Sequence, residues 1–194
     1  MNPWIGIIRY LVSFIATVAI RAPHANQSGK LAIVTRRKGA IEIALLALMR
    51  LGVLVLPLLA IFTSLLSFAD YPLHPAVFSL GVMCTCGWLW LFYRSHADLG
   101  RNWSATLEIR EGHQLVTSGL YRLVRHPMYV AIFLGAIDQA LLIPNWIGGP
   151  SCLVAFVLMF VLRVNIEEQM MSDKFGDTYV DYMNGTKRLV PYVW

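Results

Sequence analysis

Five apolar stretches dominate this chain: Trp4 to Ile20, Ile43 to Phe68, Pro75 to Tyr93, Met128 to Ile143 and Ile147 to Val164. A helix that crosses the hydrocarbon of a bilayer needs about 17–25 mostly apolar residues. Backbone in lipid must also satisfy its own hydrogen bonds, which favours helices. The pattern predicts an all-α integral membrane protein with about five transmembrane helices. The fourth stretch is short, and Pro57 inside the second predicts a kink or tilt there. The fourth and fifth are joined only by Pro144-Asn145-Trp146, a tight turn, so they form an antiparallel hairpin. Hydrophobic residues make up 57% of the 194 and charged residues 14%. A chain this small cannot bury so much apolar surface in a soluble core, so lipid takes the excess.

The basic residues give the chain a direction. Arg21, Lys30, Arg36, Arg37 and Lys38 lie between the first and second stretches. Arg94, Arg101, Arg110, Arg122 and Arg125 lie between the third and fourth, and Arg163, Lys174, Lys187 and Arg188 at or after the end of the fifth. The other two, Arg9 and Arg50, fall inside apolar stretches. By the positive-inside rule the N-terminus is outside and the C-terminus is cytoplasmic, which an odd number of crossings requires. The same asymmetry explains the net charge of +5 without a nucleic-acid partner. The basic cluster follows the first apolar run instead of preceding it, so that run reads as a retained helix and not as a cleaved signal.

Two groups of residues carry chemical potential. In the first, a glycine turn at Gly119 leads through Tyr121 to Arg125-His126-Pro127-Met128-Tyr129. Pro127 suits the first turn of a helix, where its missing N–H costs nothing. The amides of that helix start point at the cytoplasmic interface and suit a carboxylate or phosphate, with His126 and Tyr129 at the mouth. An interfacial basic and aromatic anchor is the alternative reading. In the second group, Arg163 and Glu167 are four residues apart and share a helix face, with Glu168 beside them. An arginine there clamps a carboxylate and a glutamate holds an ammonium; a surface ion pair is the alternative. His113 precedes the first group and lines the same pocket. Asp138, Gln139, Arg50 and Arg9 are costly in lipid and must face other protein groups, plausibly one another. The histidines and cysteines have no metal-type spacing, and no phosphate-binding loop, zinc-protease helix or serine-hydrolase elbow is present. The tail from Asn165 continues the fifth helix, Gly176 ends it, and a short helix follows around Asp177 to Met183.

Together these groups resemble the isoprenylcysteine carboxyl methyltransferase family of membrane enzymes. The matching stretches are Leu99-Gly100-Arg101-Asn102-Trp103-Ser104, His113 through Tyr129 with its Arg-His-Pro-x-Tyr element, the Glu167-Glu168 pair after an apolar hairpin, and Phe175-Gly176-Asp177-Thr178-Tyr179. The resemblance covers roughly the C-terminal half; the first two helices match only in hydropathy. It implies S-adenosylmethionine held in a cytoplasm-facing pocket. His113, Gln114, Leu115 and Val116 would line its adenosine, with Tyr121 nearby. His126, Pro127, Met128 and Tyr129 would contact it from the start of the fourth helix, and Glu167 would hold its methionine portion. Arg163 would hold the substrate carboxylate and so count as the catalytic residue.

The acceptor this implies is a lipid-borne carboxylate, foremost the α-carboxyl of a prenylated cysteine, with no metal and no nucleic acid involved. The whole chain, 1–194, then forms one membrane domain: an N-terminal two-helix part, 1–70, and a methyltransferase core, 71–194. Three other readings stand beside it: a membrane phospholipid methyltransferase, an NADPH-dependent enzyme of the sterol-reductase type, and a small non-enzymatic transporter or scaffold.

Overall fold

Residues 3–36 and 39–191 are described in the computed structural model, the side chains of residues 3–7 excepted. Arg37 and Lys38 of the first basic connector lie outside the described residues. Each apolar stretch is helical over most of its length. The elements are α1 (Pro3–Gly29), α2 (Ala40–Arg50), a π-helical turn (Leu51–Val55), α3 (Leu56–Phe62), α4 (Pro75–Leu99), α5 (Pro127–Leu142), α6 (Ser151–Phe175) and α7 (Asp177–Gly185). Among the described residues two stretches, Ala40–Phe62 and Pro75–Asn102, are long and apolar enough to cross a membrane, with mean hydropathies of 2.5 and 1.6. Phe62, Leu65, Met83, Trp90, Val154 and Val161 point outward, a surface that suits lipid and is costly in water.

The all-helical expectation needs one correction. Two short strands, β1 (Ile33–Arg36) and β2 (Glu108–Arg110), pair antiparallel and join the two basic connectors. Glu108 binds Arg36 at 2.6 Å across them and Arg110 at 2.8 Å within β2. Arg110 also donates to the Ser28 carbonyl at 2.6 Å and so ties down the end of α1. α1 runs well past Ile20, so Arg21 lies on the helix and not in a connector.

The irregularity expected at Pro57 takes the form of the π turn. Proline has no N–H, so the carbonyls of Val53 (four residues back) and Gly52 (five back) lose their natural donor. Other helices supply it. The Tyr10 hydroxyl donates to the Val53 carbonyl at 2.7 Å. The Gln139 amide and the Ser151 hydroxyl donate to the Gly52 carbonyl at 2.9 and 2.7 Å. Gln139 is therefore a structural donor. Asp138 beside it is buried, contacts the Arg9 guanidinium, and accepts from Thr85 Oγ1 at 2.7 Å and Trp88 Nε1 at 3.1 Å. These bonds lock α1, α4 and α5 together, and the expected pairing of intramembrane charges holds for Arg9 and Asp138.

The connectors gather at two ends. At one end Asn145, the middle of the expected tight turn, is 1% exposed. It donates to the Leu66 carbonyl and the Asp70 carboxylate, both at 2.7 Å, and accepts from the Ile147 and Gly148 amides. That end holds no Lys or Arg. The three basic connectors meet at the other end through β1 and β2 and through a bridge between Val124 and Lys187.

Glu168, on α6 just beyond its apolar run, closes this basic end. Its carboxylate binds Arg188 at 2.6 Å, Arg125 at 3.0 Å and His126 Nε2 at 3.1 Å. Burial alone would raise its pKa, but hydrogen bonds from His126, Arg188 and Arg125 reverse that and hold it down to about 2. A carboxyl with a depressed folded-state pKa stabilises the fold above its unfolded value, roughly 4.3, and that stability drains away as pH falls toward the folded value. Glu168→Gln leaves Arg125 and Arg188 without their shared counter-charge and should cost about 3–5 kcal/mol. It should also remove part of the acid sensitivity between roughly pH 4.3 and 2. Thermal unfolding of the detergent-solubilised chain across that range checks both, and an unchanged melting profile would contradict the assignment.

Candidate active site

α6 presents a buried stripe to the bundle: Cys152, Ala155, Phe156, Met159, Phe160, Arg163, Val164, Glu168 and Met170. The spacing of three and four residues makes one helix face. Phe156, Met159, Phe160 and Val164 pack with Tyr129 of α5 and Leu45 of α2. Arg163 is thus held on the wall of a tightly packed corner, only 8% exposed.

Arg163 is surrounded but not locked. Its Nη atoms reach the Ala105 carbonyl at 3.4 Å, the limit of a hydrogen bond. Glu167 lies 3.8 Å away on the next turn and Glu42 of α2 3.9 Å away. Its Nε is buried and has no hydrogen-bond partner. The charge is balanced while its donors remain available to an incoming oxyanion. Two carboxylates at ion-pair distance, neither taking a short bidentate grip, produce that state.

The start of α5 meets this corner. His126 sits at its N-cap, Pro127 occupies its first turn, and no side chain caps its amides. The Tyr129 hydroxyl donates to Glu167 Oε2 at 2.6 Å. His126 Nδ1 lies 3.9 Å from Glu167 Oε1, and its ring stacks on Tyr129 with centroids 5.3 Å apart. His126 and Arg163 therefore approach different oxygens of the same carboxylate. The two groups of residues read from the sequence form one site.

A cavity of about 560 Å³ opens on them. His113, Gln114, Leu115, Val116, Tyr121, His126, Met128, Tyr129, Arg163 and Glu167 line it. Pro127 does not: it is fully buried, and its part is to start the helix. On the loop side the wall is completed by Asn102, Trp103, Met170, Met171, Tyr179 and Tyr182. The helix side adds Phe14 and Val18 of α1, Leu46 and Met49 of α2, and Phe92 and Ile132. One compartment thus joins polar loops to apolar helices. Burial, and then Lys174 nearby, push the His113 pKa down, which favours a neutral imidazole at physiological pH. Asn102 accepts the Gln114 amide at 3.0 Å and fixes that loop over the cavity.

Sequence reasoning missed Glu42. It is 5% exposed, accepts the Leu107 amide at 2.8 Å through Oε1, and keeps Oε2 buried without a partner. The signal was present: Glu42 is the only acidic residue among the first 69. A lone carboxylate at the head of an apolar stretch demands a cation. The part of Arg125 and Arg188 in holding Glu168 was missed too, because their partners are remote in sequence.

Residues 79–173 match the isoprenylcysteine carboxyl methyltransferase (ICMT) family model. Protein-S-isoprenylcysteine O-methyltransferase B of Arabidopsis thaliana is 31% identical over 96 residues, covering 48% of this chain and 49% of the relative. The Schizosaccharomyces pombe protein-S-isoprenylcysteine O-methyltransferase is 31% identical over 121 residues, covering 59% of this chain and 49% of the relative. The chain thus spans about half the length of the curated relatives it matches. The solved structure of the eukaryotic intramembrane Ras methyltransferase ICMT superposes with a TM-score of 0.58 at 21% identity, over 96% of this chain and 63% of that one. The overall fold is therefore of the ICMT type. The matched segment contains Arg125 through Tyr129 as well as Arg163, Glu167 and Glu168. Residues 79–173, just under half of this chain, are thus similar to the isoprenylcysteine carboxyl methyltransferase family.

Proposed function

We propose that the chain is an S-adenosylmethionine-dependent carboxyl O-methyltransferase whose acceptor is a lipid-borne acid, foremost the α-carboxyl of a prenylated cysteine. The observation that carries this reading is the pairing on one turn of α6. Glu167 is held by Tyr129 on one oxygen, and Arg163 is held loosely beside it with a donor unused. A carboxylate and a guanidinium side by side at a cavity wall suit two ligands of opposite local charge placed in contact. His126 and Tyr129 join Glu167 in holding the methionine end of the cofactor, while His113 to Val116, with Tyr121 nearby, surround its adenosine.

Bound there, S-adenosylmethionine supplies a sulfonium methyl whose transfer to a carboxylate forms an O–C bond, breaks an S–C bond, leaves the electron pair on sulfur and moves no proton. The chain therefore needs no general base. Its work is alignment and exclusion of water. Arg163 orients the acceptor carboxylate, and Glu42 and Glu167 on either side hold the arginine in place. The apolar walls from α1, α2 and α4 receive the lipid chain and keep the oxyanion poorly hydrated. Alignment of this kind is worth on the order of 7–11 kcal/mol of barrier.

The topology follows the same reading. The three basic connectors converge at the end of the bundle that carries the site. That supports five crossings, an outside N-terminus, a cytoplasmic C-terminus and a site facing the cytoplasm. Residues 1–194 act as one membrane domain, with most of the site in 71–194 and Glu42 contributed by 1–70.

The direct test is transfer of labelled methyl from S-adenosylmethionine to N-acetyl-S-farnesylcysteine by the purified chain. Farnesylcysteine amide and phosphatidylethanolamine serve as comparison acceptors. Base-labile label on the free acid alone supports the reading. Label on the phospholipid, or stabilisation by NADPH and not by S-adenosylhomocysteine, sinks it. Arg163→Ala should lower turnover by roughly 10²–10³-fold while S-adenosylhomocysteine affinity stays within about twofold; equal loss of both would mark a structural role. Glu167→Gln should weaken S-adenosylhomocysteine binding by about 10–100-fold, the value of a charged hydrogen bond, and unchanged affinity in a calorimetric titration would remove Glu167 from the cofactor site.

A further inference from the structure

Five arginines line the cavity, and three are balanced by carboxylates: Arg9 by Asp138, Arg125 by Glu168, and Arg163 by Glu42 and Glu167. Arg21 and Arg50 have no carboxylate partner among the described residues. Both come from the N-terminal part that precedes the family match at residues 79–173.

Arg21 is held in place without being neutralised. Its guanidinium carbon lies 5.4 Å from the Phe92 ring centroid and 5.5 Å from that of Trp103, with both rings on the cavity wall. Stacking of this kind orients a planar cation and leaves its donors free. Arg21 Nε is buried and unpartnered. Behind it, His24 and His96 lie with ring centroids 5.4 Å apart, and His24 Nδ1, His96 Nε2 and Ser95 Oγ are buried with no partner. Buried polar atoms are nearly always hydrogen-bonded, and Arg21, on the cavity wall, carries one that is not. Arg50, exposed at the end of α2, is a second cation on the cavity wall.

We propose that Arg21, supported by Arg50, binds an oxyanion group, a carboxylate or a phosphate, distinct from the one assigned to Arg163. Two sources carry that chemistry. One is an amphiphilic acceptor with a second acidic group, its chain lying along the apolar wall. The other is the carboxylate of the methyl donor. The division into acceptor and donor rests on the proposed methyltransferase reading; the anion preference itself does not.

The test uses the full chain in detergent and calorimetric titration of two matched pairs. Farnesyl phosphate is set against farnesol, and S-adenosylhomocysteine against its decarboxylated analogue. Wild type should prefer the charged member of at least one pair, and Arg21→Gln should cut that preference by about tenfold or more. Arg21→Lys should retain most of it. Loss confined to farnesyl phosphate assigns the site to the acceptor, and loss confined to S-adenosylhomocysteine assigns it to the donor. Equal affinities within each wild-type pair, or an Arg21→Gln variant that weakens charged and neutral members alike, would overturn the proposal. If wild type ignores both nucleosides, the methyltransferase reading fails and the farnesyl pair still decides the role of Arg21. If Arg21→Gln does not fold, Arg50→Gln in the native chain takes its place, and an unchanged charged-over-neutral preference there counts against the site.

Discussion

The buried carboxylate of Glu168 sets the geometry of everything near the site. Two guanidinium groups and an imidazole converge on it from the start of α5, from the segment before that helix and from the tail after α7. A guanidinium buried without such a partner carries a large desolvation cost. Meeting on one carboxylate, the three groups hold the N-terminus of α5 against the exit of α6. That contact is what places Tyr129 within hydrogen-bond reach of Glu167 and His126 beside the same group. A site built from helix ends needs such a clamp, because helix ends carry unsatisfied backbone groups and fray readily.

Deeper in the bundle, polarity serves the backbone. Pro57 deprives two carbonyls of their donors, and Tyr10, Gln139 and Ser151 replace them from three other parts of the chain. Asp138 gathers Arg9, Thr85 and Trp88. These residues look like candidates for a proton relay when seen in isolation. Their bonds show that they are cross-links between helices, the same economy that lets membrane helices tolerate proline at all. Arg163 and Glu167 differ from them in the one respect that matters for ligand binding: each keeps capacity unspent.

Much of this was legible in the sequence. Hydropathy located the mostly helical fold and its two long apolar spans because lipid imposes length and composition together, and the turn chemistry at Gly176 and Pro127 fixed two helix ends. The functional cluster could be assembled because its parts form short, ordered motifs. Three features escaped. The pairing of β1 with β2 involves segments too short and too polar to show an alternating pattern. The π turn arises from how neighbouring helices answer Pro57, which no local signal encodes. Glu42 reaches the site across 121 positions of sequence from Arg163, and its only trace was its isolation as an acid in an apolar region. Local propensity finds elements, whereas charge compensation is settled in three dimensions.

The central claim is that the first turn of α5 and the exit of α6 grip one bound molecule and leave Arg163 for another. An experimental structure of the chain with S-adenosylhomocysteine tests it most directly. The account predicts the ligand's ammonium within hydrogen-bond distance of Glu167, its sulfur turned toward Arg163, and the Arg163 Nη atoms still free of the ligand. A ligand seated elsewhere in the cavity, or one whose carboxylate is clamped by Arg163, would contradict it.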